Sequence, residues 1–265
     1  MLVHGGTPNC RFLADPWLED AEGRGIRLIS YDRPGYGGST SQPGRTVADC
    51  ASDVRTIAAA LGIDSLAVWG YSGGGPHALA CAALLPELVS AVATLASVAP
   101  YDAPGLDWFT GMGQDNIDGF TLYQQDPVAA RARSLEDREA LLKATPETLV
   151  EAWSTLLSPT DAAVLSGELA AFFVNHMKEG LAPGDQGWWD DGVAEVGPWG
   201  FDLATIAVPV LLWHGAQDMF VPIQHGRWLA EQIPGVEAHF TDSDGHLTLL
   251  VDRVPEVHEW LLEHS

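Results

Sequence analysis

Apolar and polar residues alternate along this chain in two distinct patterns. Short unbroken apolar runs are typical of strands buried on both faces, and they alternate with stretches whose apolar residues recur every three or four positions, as in helices. The apolar runs are Leu66–Trp69, Ala91–Val98, Val208–Trp213 and the weaker Val236–Phe240. The clearest helical stretch covers 47–61, with Thr46 as its expected N-cap. This alternation predicts an α/β fold, a mostly parallel sheet flanked by helices.

The pattern changes after Pro100. From about Asp102 to Asp202 the spacing is helical, acidic residues are frequent and no clear strand is present. Helices are predicted over 128–143, 146–157 and 161–178, separated by breaks rich in glycine and proline. We therefore divide the chain into a first part of an α/β core (1–101), a helical insertion (102–202) and a second part of the core (203–265).

The insertion is rich in aromatic residues that are candidates to line a pocket. Aromatic residues at helical spacing usually form core, so no single one is assigned a substrate contact. The candidates are Trp108, Phe109, Phe120, Trp153, Phe172, Phe173, Trp188 and Trp189.

The pentapeptide Gly70-Tyr71-Ser72-Gly73-Gly74 stands between a predicted strand and a predicted helix. An abrupt turn from strand to helix strains the residue at the corner and projects its side chain above the sheet. The helix that follows directs its free N–H groups and the positive end of its dipole toward the same point. Ser72 is therefore the candidate nucleophile, and the alternative is a small residue in a tight turn.

A serine nucleophile needs a base that takes its proton and an acid that orients the base. Asp218 and His246 each follow a predicted strand, in the chain order that suits this chemistry. Both are expected at the carboxyl edge of the parallel sheet, beside Ser72. We predict that Asp218 is the acid, although its position also suits an N-cap, and that His246 is the base.

Four other residues compete for these roles. Asp242 and Asp244 lie within four residues of His246 on the same loop, whereas such an acid usually reaches the imidazole from another strand end. His214 is expected to form a core or supporting hydrogen bond. His225 is expected on the surface of a helix spanning 222–233.

Together these motifs resemble the α/β-hydrolase superfamily, in particular its capped branch of serine esterases and proline-iminopeptidase-like enzymes. The segment His4-Gly5-Gly6-Thr7-Pro8 is similar to the loop after the third strand of that fold, and Ile29–Gly37 to the segment after the fourth. The resemblance implies that the backbone N–H groups of Gly6 and Gly73 form an oxyanion hole, each such donor contributing about 10²–10³ in rate. It also implies that 102–202 is a cap over Ser72, inserted before the strand that carries the acid.

The chain begins almost at the third strand of that fold, so the fold's first two strands are expected to be missing. Their loss would place the strand Arg27–Tyr31 at an open edge of the sheet. An open edge can pair with another chain, which makes a homo-oligomer possible.

The candidate residues predict a serine hydrolase, a carboxylesterase that cleaves small esters through an acyl-enzyme. Alternatives are an aminopeptidase of the proline-iminopeptidase type, a carbon–carbon bond hydrolase or a perhydrolase. A different class is a non-catalytic ligand-binding receptor on the same fold. The aminopeptidases carry His-Gly-Gly-Pro-Gly and a Gly-Gly-Ser-Trp-Gly elbow, and this chain departs from both.

The amino-acid composition limits the kinds of molecule that the protein is expected to bind. The formal net charge is −23, and the only lysines are Lys143 and Lys178, so the surface would repel nucleic acid and anionic membranes. Three cysteines without close spacing favour a reducing compartment over a disulfide framework. No stretch is typical of a signal peptide or a membrane span, which predicts a cytoplasmic protein.

No motif indicates a resident cofactor. The chain has no metal-ligand spacing such as H-E-x-x-H or C-x-x-C, and Gly35-Tyr36-Gly37-Gly38 is not a dinucleotide fingerprint. We therefore expect no metal and no cofactor, and a small-molecule substrate as the partner.

Overall fold

Six strands form one parallel sheet in the computed structural model, which describes residues 1–265. Their spatial order is β2-β1-β3-β4-β5-β6. The strands are β1 (Leu2–His4), β2 (Ile29–Ser30), β3 (Leu66–Tyr71), β4 (Val89–Leu95), β5 (Val210–Gly215) and β6 (Glu237–Thr241). Every neighbouring pair is parallel, so the carboxyl ends of all six strands lie at one edge.

Twelve α-helices and three short 3₁₀ turns connect and cover the strands. The helices are α1 (Asp15–Gly23), α2 (Cys50–Leu61), α3 (Gly75–Leu84), α4 (Gln114–Gln125), α5 (Pro127–Lys143), α6 (Pro146–Ala152), α7 (Pro159–Val164), α8 (Gly167–Leu181), α9 (Gln186–Val196), α10 (Ile223–Gln232), α11 (His246–Asp252) and α12 (Val254–Glu263). The 3₁₀ turns are Val47–Asp49, Ser72–Gly74 and Leu203–Thr205.

The core lies on both faces of the sheet, because successive strand residues point to opposite sides. Val68 and Leu212 belong to a cluster that α2, α3 and α10 cover. Trp69 and Trp213, one residue further along, belong to a second cluster that receives residues of α1, α8 and α12. The predicted α/β fold with a parallel sheet flanked by helices is therefore confirmed.

The helices α4–α9 lie between β4 and β5, and we call them the inserted helices. This part of the chain contains no strand, as the spacing predicts, but its boundaries differ in two places. The helix predicted over 146–157 ends at Ala152, and the one predicted over 161–178 is two helices, α7 and α8. The break is physical, because Ser166 is fully extended and Gly167 has a φ of +52°.

Two helices of the insertion, α4 and α9, escaped prediction because neither has a continuous stripe of fully buried apolar residues. In α9 the buried side chains include Asp190, Asp191 and Glu195, so polar groups occupy its inward face. In α4 no residue is buried at all. Hydrophobic periodicity therefore carries little signal for these two helices.

Strand β2 stands at one edge of the sheet and pairs only with β1, in the position expected for the segment Arg27–Tyr31. None of the helices is both long and apolar enough to cross a bilayer.

Helix α3 begins almost in contact with strand β1. A Cβ atom at Gly74 would lie 2.1 Å from the carbonyl oxygen of His4 and 2.5 Å from that of Gly5. Both neighbours are backbone atoms and cannot rotate away. The close approach holds the turn at Ser72 against the loop that follows β1.

We expect Gly74→Ala to lower the free energy of unfolding by about 3 kcal/mol, because the added methyl group forces the helix and the strand apart. Gly23→Ala is the control, since a Cβ at Gly23 meets nothing within 4 Å, and it should change stability by no more than about 1 kcal/mol. Urea denaturation of both variants measures the difference. Equal midpoints for the two would contradict the argument.

Candidate active site

Ser72 lies at the corner between β3 and α3, where the sequence places it. Its φ is +53°, in the left-handed region that non-glycine residues rarely adopt. Such strain persists where the surrounding structure enforces it, and it is concentrated at functional sites. The corner lies at the carboxyl edge of the sheet, with the helix α3 beginning directly behind it.

Asp218 and His246 meet at the same edge. His246 Nδ1 lies 2.7 Å from Asp218 Oδ2, and both side chains are almost completely buried. The other carboxylate oxygen of Asp218 accepts the backbone N–H groups of Phe220 and Val221 at 2.9 and 2.8 Å. Asp218 therefore orients the imidazole with Oδ2, while Oδ1 is bound to the backbone of the turn that follows it. These backbone contacts, which also explain why the position suits an N-cap, fix the Asp218 side chain in one rotamer.

The imidazole of His246 is held in the form that a general base requires. Because the Asp218 carboxylate can only accept a hydrogen bond, Nδ1 of His246 carries the proton and donates it. Nε2 has no hydrogen-bond partner in the protein. Burial lowers the pKa of His246, but the Asp218 carboxylate, together with the charge of Asp161, outweighs burial and leaves that pKa above its usual value. The Phe220 ring stacks on the imidazole at 4.7 Å between centroids and limits its rotation.

The competing residues have other partners. His214 is fully buried, and its Nε2 lies 2.7 Å from the Val221 carbonyl oxygen, which is the supporting bond that the sequence indicates. Asp244 forms an ion pair with Arg253, and Asp242 is exposed. None of these three contacts the imidazole of His246 by a hydrogen bond.

The surface position expected for His225 is wrong. The side chain is fully buried; Nδ1 accepts the Ala99 N–H at 3.1 Å, and Nε2 lies 2.9 Å from the Trp108 carbonyl oxygen. The segment after β4 folds back over this face of α10 and buries it. The spacing within a helix does not disclose which of its polar faces a distant segment will cover.

Gly6 and Gly73, the predicted amide donors, both come close to Ser72. A Cβ at Gly6 would lie 3.3 Å from Ser72 Cβ, and Gly73 follows Ser72 directly. Arg33 fixes the loop that carries Gly6, because it donates to the carbonyl oxygens of Gly5 at 2.6 Å and Gly6 at 3.0 Å. The guanidinium thus holds the loop through two of its carbonyl oxygens.

Arg33 is itself held by Asp191 of α9. Both side chains are buried, and their closest N–O distance is 2.5 Å. Asp191 also accepts from Arg45 at 2.6 Å and Tyr36 at 2.8 Å. Burial alone would raise the pKa of Asp191, but the two guanidinium groups outweigh it and hold that pKa well below its usual range.

A cavity of about 340 Å³ opens over Ser72. Thr7, Pro8, Gly73 and Val98 form its wall on the side of the sheet, and the inserted helices close it from above. Of the eight aromatic candidates, three line the cavity: Phe120, Trp153 and Trp188.

One cluster elsewhere has the composition of a metal site. His4, Cys50 and Cys81 place their ligand atoms within 4.8 Å of one another, and all three are buried away from the cavity. Each sulfur already has a partner within the protein: Cys50 Sγ lies 3.4 Å from the His77 carbonyl oxygen, and Cys81 Sγ lies 3.5 Å from His4 Nε2. The cluster is therefore better explained by packing between β1, α2 and α3.

Comparison with known proteins agrees with this architecture. The sequence model of the alpha/beta hydrolase fold family matches residues 1–252. The chain belongs to the α/β-hydrolase family.

Individual relatives and structural neighbours are similar to this chain at 20–26% identity. It is 24% identical to an uncharacterized hydrolase, YcgS, of Bacillus subtilis, covering 99% of this chain and 89% of that protein. It is 26% identical to a proline iminopeptidase of Xylella fastidiosa, covering 83% of this chain and 74% of that protein. A thermophilic esterase from Thermogutta terrifontis superposes with a TM-score of 0.69 at 20% identity, covering 100% of this chain and 90% of that one. The two sequence relatives support a hydrolase, whereas the structural neighbour shows the fold alone.

The cavity of this α/β hydrolase holds an acid that sequence reasoning missed. Glu195 of α9 is buried, lines the cavity, and lies so close to Gly73 that a Cβ there would be 2.3 Å from Glu195 Oε1. The Thr7 hydroxyl, which has a single proton, lies 2.9 Å from Glu195 and 3.1 Å from Asp191. Burial first, and the charge of Asp191 second, raise the pKa of Glu195 to about 7.

The raised pKa of Glu195 predicts a pH-dependent stability. The folded protein holds a proton that the unfolded chain releases, so the contribution of Glu195 to stability is lost as pH rises from about 4.5 to about 7. We expect Glu195→Gln, which does not titrate, to gain on the order of 3 kcal/mol relative to wild type over this interval and to level off above it.

Urea denaturation at half-unit steps from pH 4.5 to 8.5 measures this difference. Glu151→Gln is the control, because Glu151 is exposed on α6, and its difference from wild type should stay constant with pH. A Glu195→Gln difference that is equally flat would show that the buried carboxyl does not take up the proton.

Proposed function

We propose that the protein is a serine hydrolase, a carboxylesterase that cleaves small esters through an acyl-enzyme, with Ser72, Asp218 and His246 as its triad. The observation that carries this proposal is the 2.7 Å contact from His246 Nδ1 to Asp218. It leaves Nε2 without a protein partner, at the sheet edge where Ser72 occupies a strained turn. An imidazole oriented in this way is a competent base for a serine hydroxyl.

The reaction proceeds by acyl transfer in two halves. Nε2 of His246 takes the proton of Ser72 as Oγ attacks the ester carbonyl carbon, and the backbone N–H groups of Gly6 and Gly73 stabilise the oxyanion. The imidazolium, stabilised by Asp218, then protonates the leaving alcohol as the carbon–oxygen bond breaks. In the second half a water molecule loses its proton to His246 and attacks the acyl-enzyme, which releases the carboxylic acid and restores Ser72.

The segment 102–202 acts as the cap between the two parts of the core, 1–101 and 203–265. Its helices supply most of the cavity residues that do not come from the sheet edge, among them Phe120, Trp153 and Trp188. Closing the cavity excludes water, which strengthens every electrostatic interaction with the oxyanion. A cavity of about 340 Å³ is near the lower end for a small-molecule site, and it favours short acyl chains.

We expect p-nitrophenyl acetate and butyrate to be hydrolysed with saturable kinetics, and the dodecanoate at most weakly. Ser72→Ala should lower kcat by about 10⁴-fold or more, because the nucleophile is lost while the cavity remains. Gly23→Ala, remote from the site, should keep wild-type kinetics and serves as the control. A panel with amide and 1,3-diketone substrates separates an esterase from a peptidase and a carbon–carbon hydrolase.

A fluorophosphonate probe tests the nucleophile independently of substrate choice. It should label wild-type protein on Ser72 and leave Ser72→Ala unlabelled, with the adduct located by mass spectrometry. Absence of labelling and of turnover in folded wild-type protein would favour the non-catalytic receptor over the hydrolase.

A further inference from the structure

An acid of the insertion reaches across to the loop that carries His246. Asp161, the third residue of α7, is fully buried. Its carboxylate accepts the backbone N–H groups of His246 at 2.9 Å, Leu247 at 2.8 Å and Thr248 at 3.1 Å. The Ser158 hydroxyl lies 3.1 Å from the same carboxylate and holds it from its own side.

These three N–H groups are the free donors at the start of α11, which begins at His246. A helix usually satisfies such donors with the side chain of its own N-cap residue. The N-cap here is Gly245, which has no side chain to offer. The cap is therefore supplied from 85 residues away along the chain.

Gly245 and Asp161 fit each other. A Cβ at Gly245 would lie 2.3 Å from Asp161 Oδ2, so only glycine lets the carboxylate approach. The backbone of Gly245 is extended, with a φ of −101°, and glycine is therefore not needed for its conformation. A glycine at position 245 is explained by the room that it leaves for the Asp161 carboxylate.

We propose that Asp161 is a positioning residue for His246, through which the inserted helices hold the catalytic imidazole in place. This inference rests on the proposed function of His246 as general base. Asp218 fixes the ring through Nδ1, and Asp161 fixes the backbone to which the ring is attached. Displacing α7 from the core would strip three hydrogen bonds from the turn that begins with the base.

Asp161 also acts on the basicity of the imidazole. The charged and titratable groups that face His246 are Asp218 from the turn after β5, His214 from β5, and Asp161 from α7. After burial, which lowers the pKa of His246, the charge of Asp218 and then that of Asp161 raise it. Removing the charge of Asp161 should therefore lower the pKa of the base.

We expect Asp161→Asn to lower kcat on a short p-nitrophenyl ester by about 10- to 100-fold, while KM changes by less than about threefold, because the displaced base acts in the chemical step. The acid limb of kcat/KM should move to lower pH by about half a unit, since a carboxylate that favours the imidazolium has been removed. Steady-state kinetics between pH 5 and 9 measure both effects.

Asp185→Asn is the matched control. Asp185 is also a buried acid of the insertion, paired with Arg131 and Ser134 and without contact to the His246 loop. Its variant should lose stability without moving the acid limb. If Asp161→Asn keeps the wild-type kcat and acid limb, or if Asp185→Asn shifts the limb equally, the proposal is overturned.

A second pair of variants separates positioning from folding. We expect Asp161→Ala to lower kcat more than Asp161→Asn does. Combining Asp161→Ala with Gly245→Asp moves the carboxylate to the local N-cap position of α11. The extended backbone at residue 245 permits this change. Recovery of at least tenfold in kcat and return of the acid limb toward wild type support the proposal. A double variant that regains its melting temperature but not its kcat contradicts it, even where Asp161→Asn is too unstable to assay.

The proposed function and the proposed role of Asp161 can be disproved independently of each other. If Ser72→Ala and His246→Ala retain the activity, the triad is wrong. If those two variants abolish activity while Asp161→Asn behaves like wild type, only the role of Asp161 is lost.

Discussion

The buried carboxylate of Asp191 is the interaction on which the active-site architecture depends. It is shared by Arg33 and Arg45, with Tyr36 as a further donor, and the acid and both guanidinium groups are removed from water. Removing charges from water costs several kcal/mol per ion, which only close pairing and full hydrogen bonding can offset. Separating α9 from the core would leave these charges unpaired, so the helix and the core hold each other in one geometry.

That geometry extends directly to Ser72, the candidate nucleophile. The donors that Arg33 does not use on Asp191 go to the carbonyl oxygens of Gly5 and Gly6, which fixes the loop beside Ser72. A helix of the insertion thus determines the position of a core loop through a single guanidinium. The same kind of contact recurs on the other side of the site, where Asp161 receives the N–H groups at the start of α11. In both cases a buried carboxylate of the insertion accepts hydrogen bonds from groups of the core.

The buried acids Asp191 and Glu195 of α9 differ in charge state for a physical reason. Asp191 has two guanidinium partners and stays ionised, whereas Glu195 lies beside that negative charge with only a hydroxyl as its partner. A second charge there would be buried next to Gly73, where the proposed reaction develops an oxyanion. The chain resolves the conflict by holding the proton on Glu195 up to about neutral pH, as its raised pKa of about 7 indicates.

The sequence by itself determined the sheet, the turn at Ser72 and the loops that carry Asp218 and His246. Apolar runs, helical spacing and the chain order of serine, acid and histidine are local signals, and the strands that they predict bring Asp218 and His246 to the same edge. The activity on esters, the catalytic roles of Ser72, Asp218 and His246, the cap and the oxyanion donors remain predictions. Only the tertiary structure decided the rest: the burial of His225, the α9 network of Asp191 and Glu195, and the contact of Asp161 with α11. These depend on pairings between residues 85 to 188 positions apart, and an acidic residue on a helix looks the same in sequence whether water or a distant guanidinium is its partner.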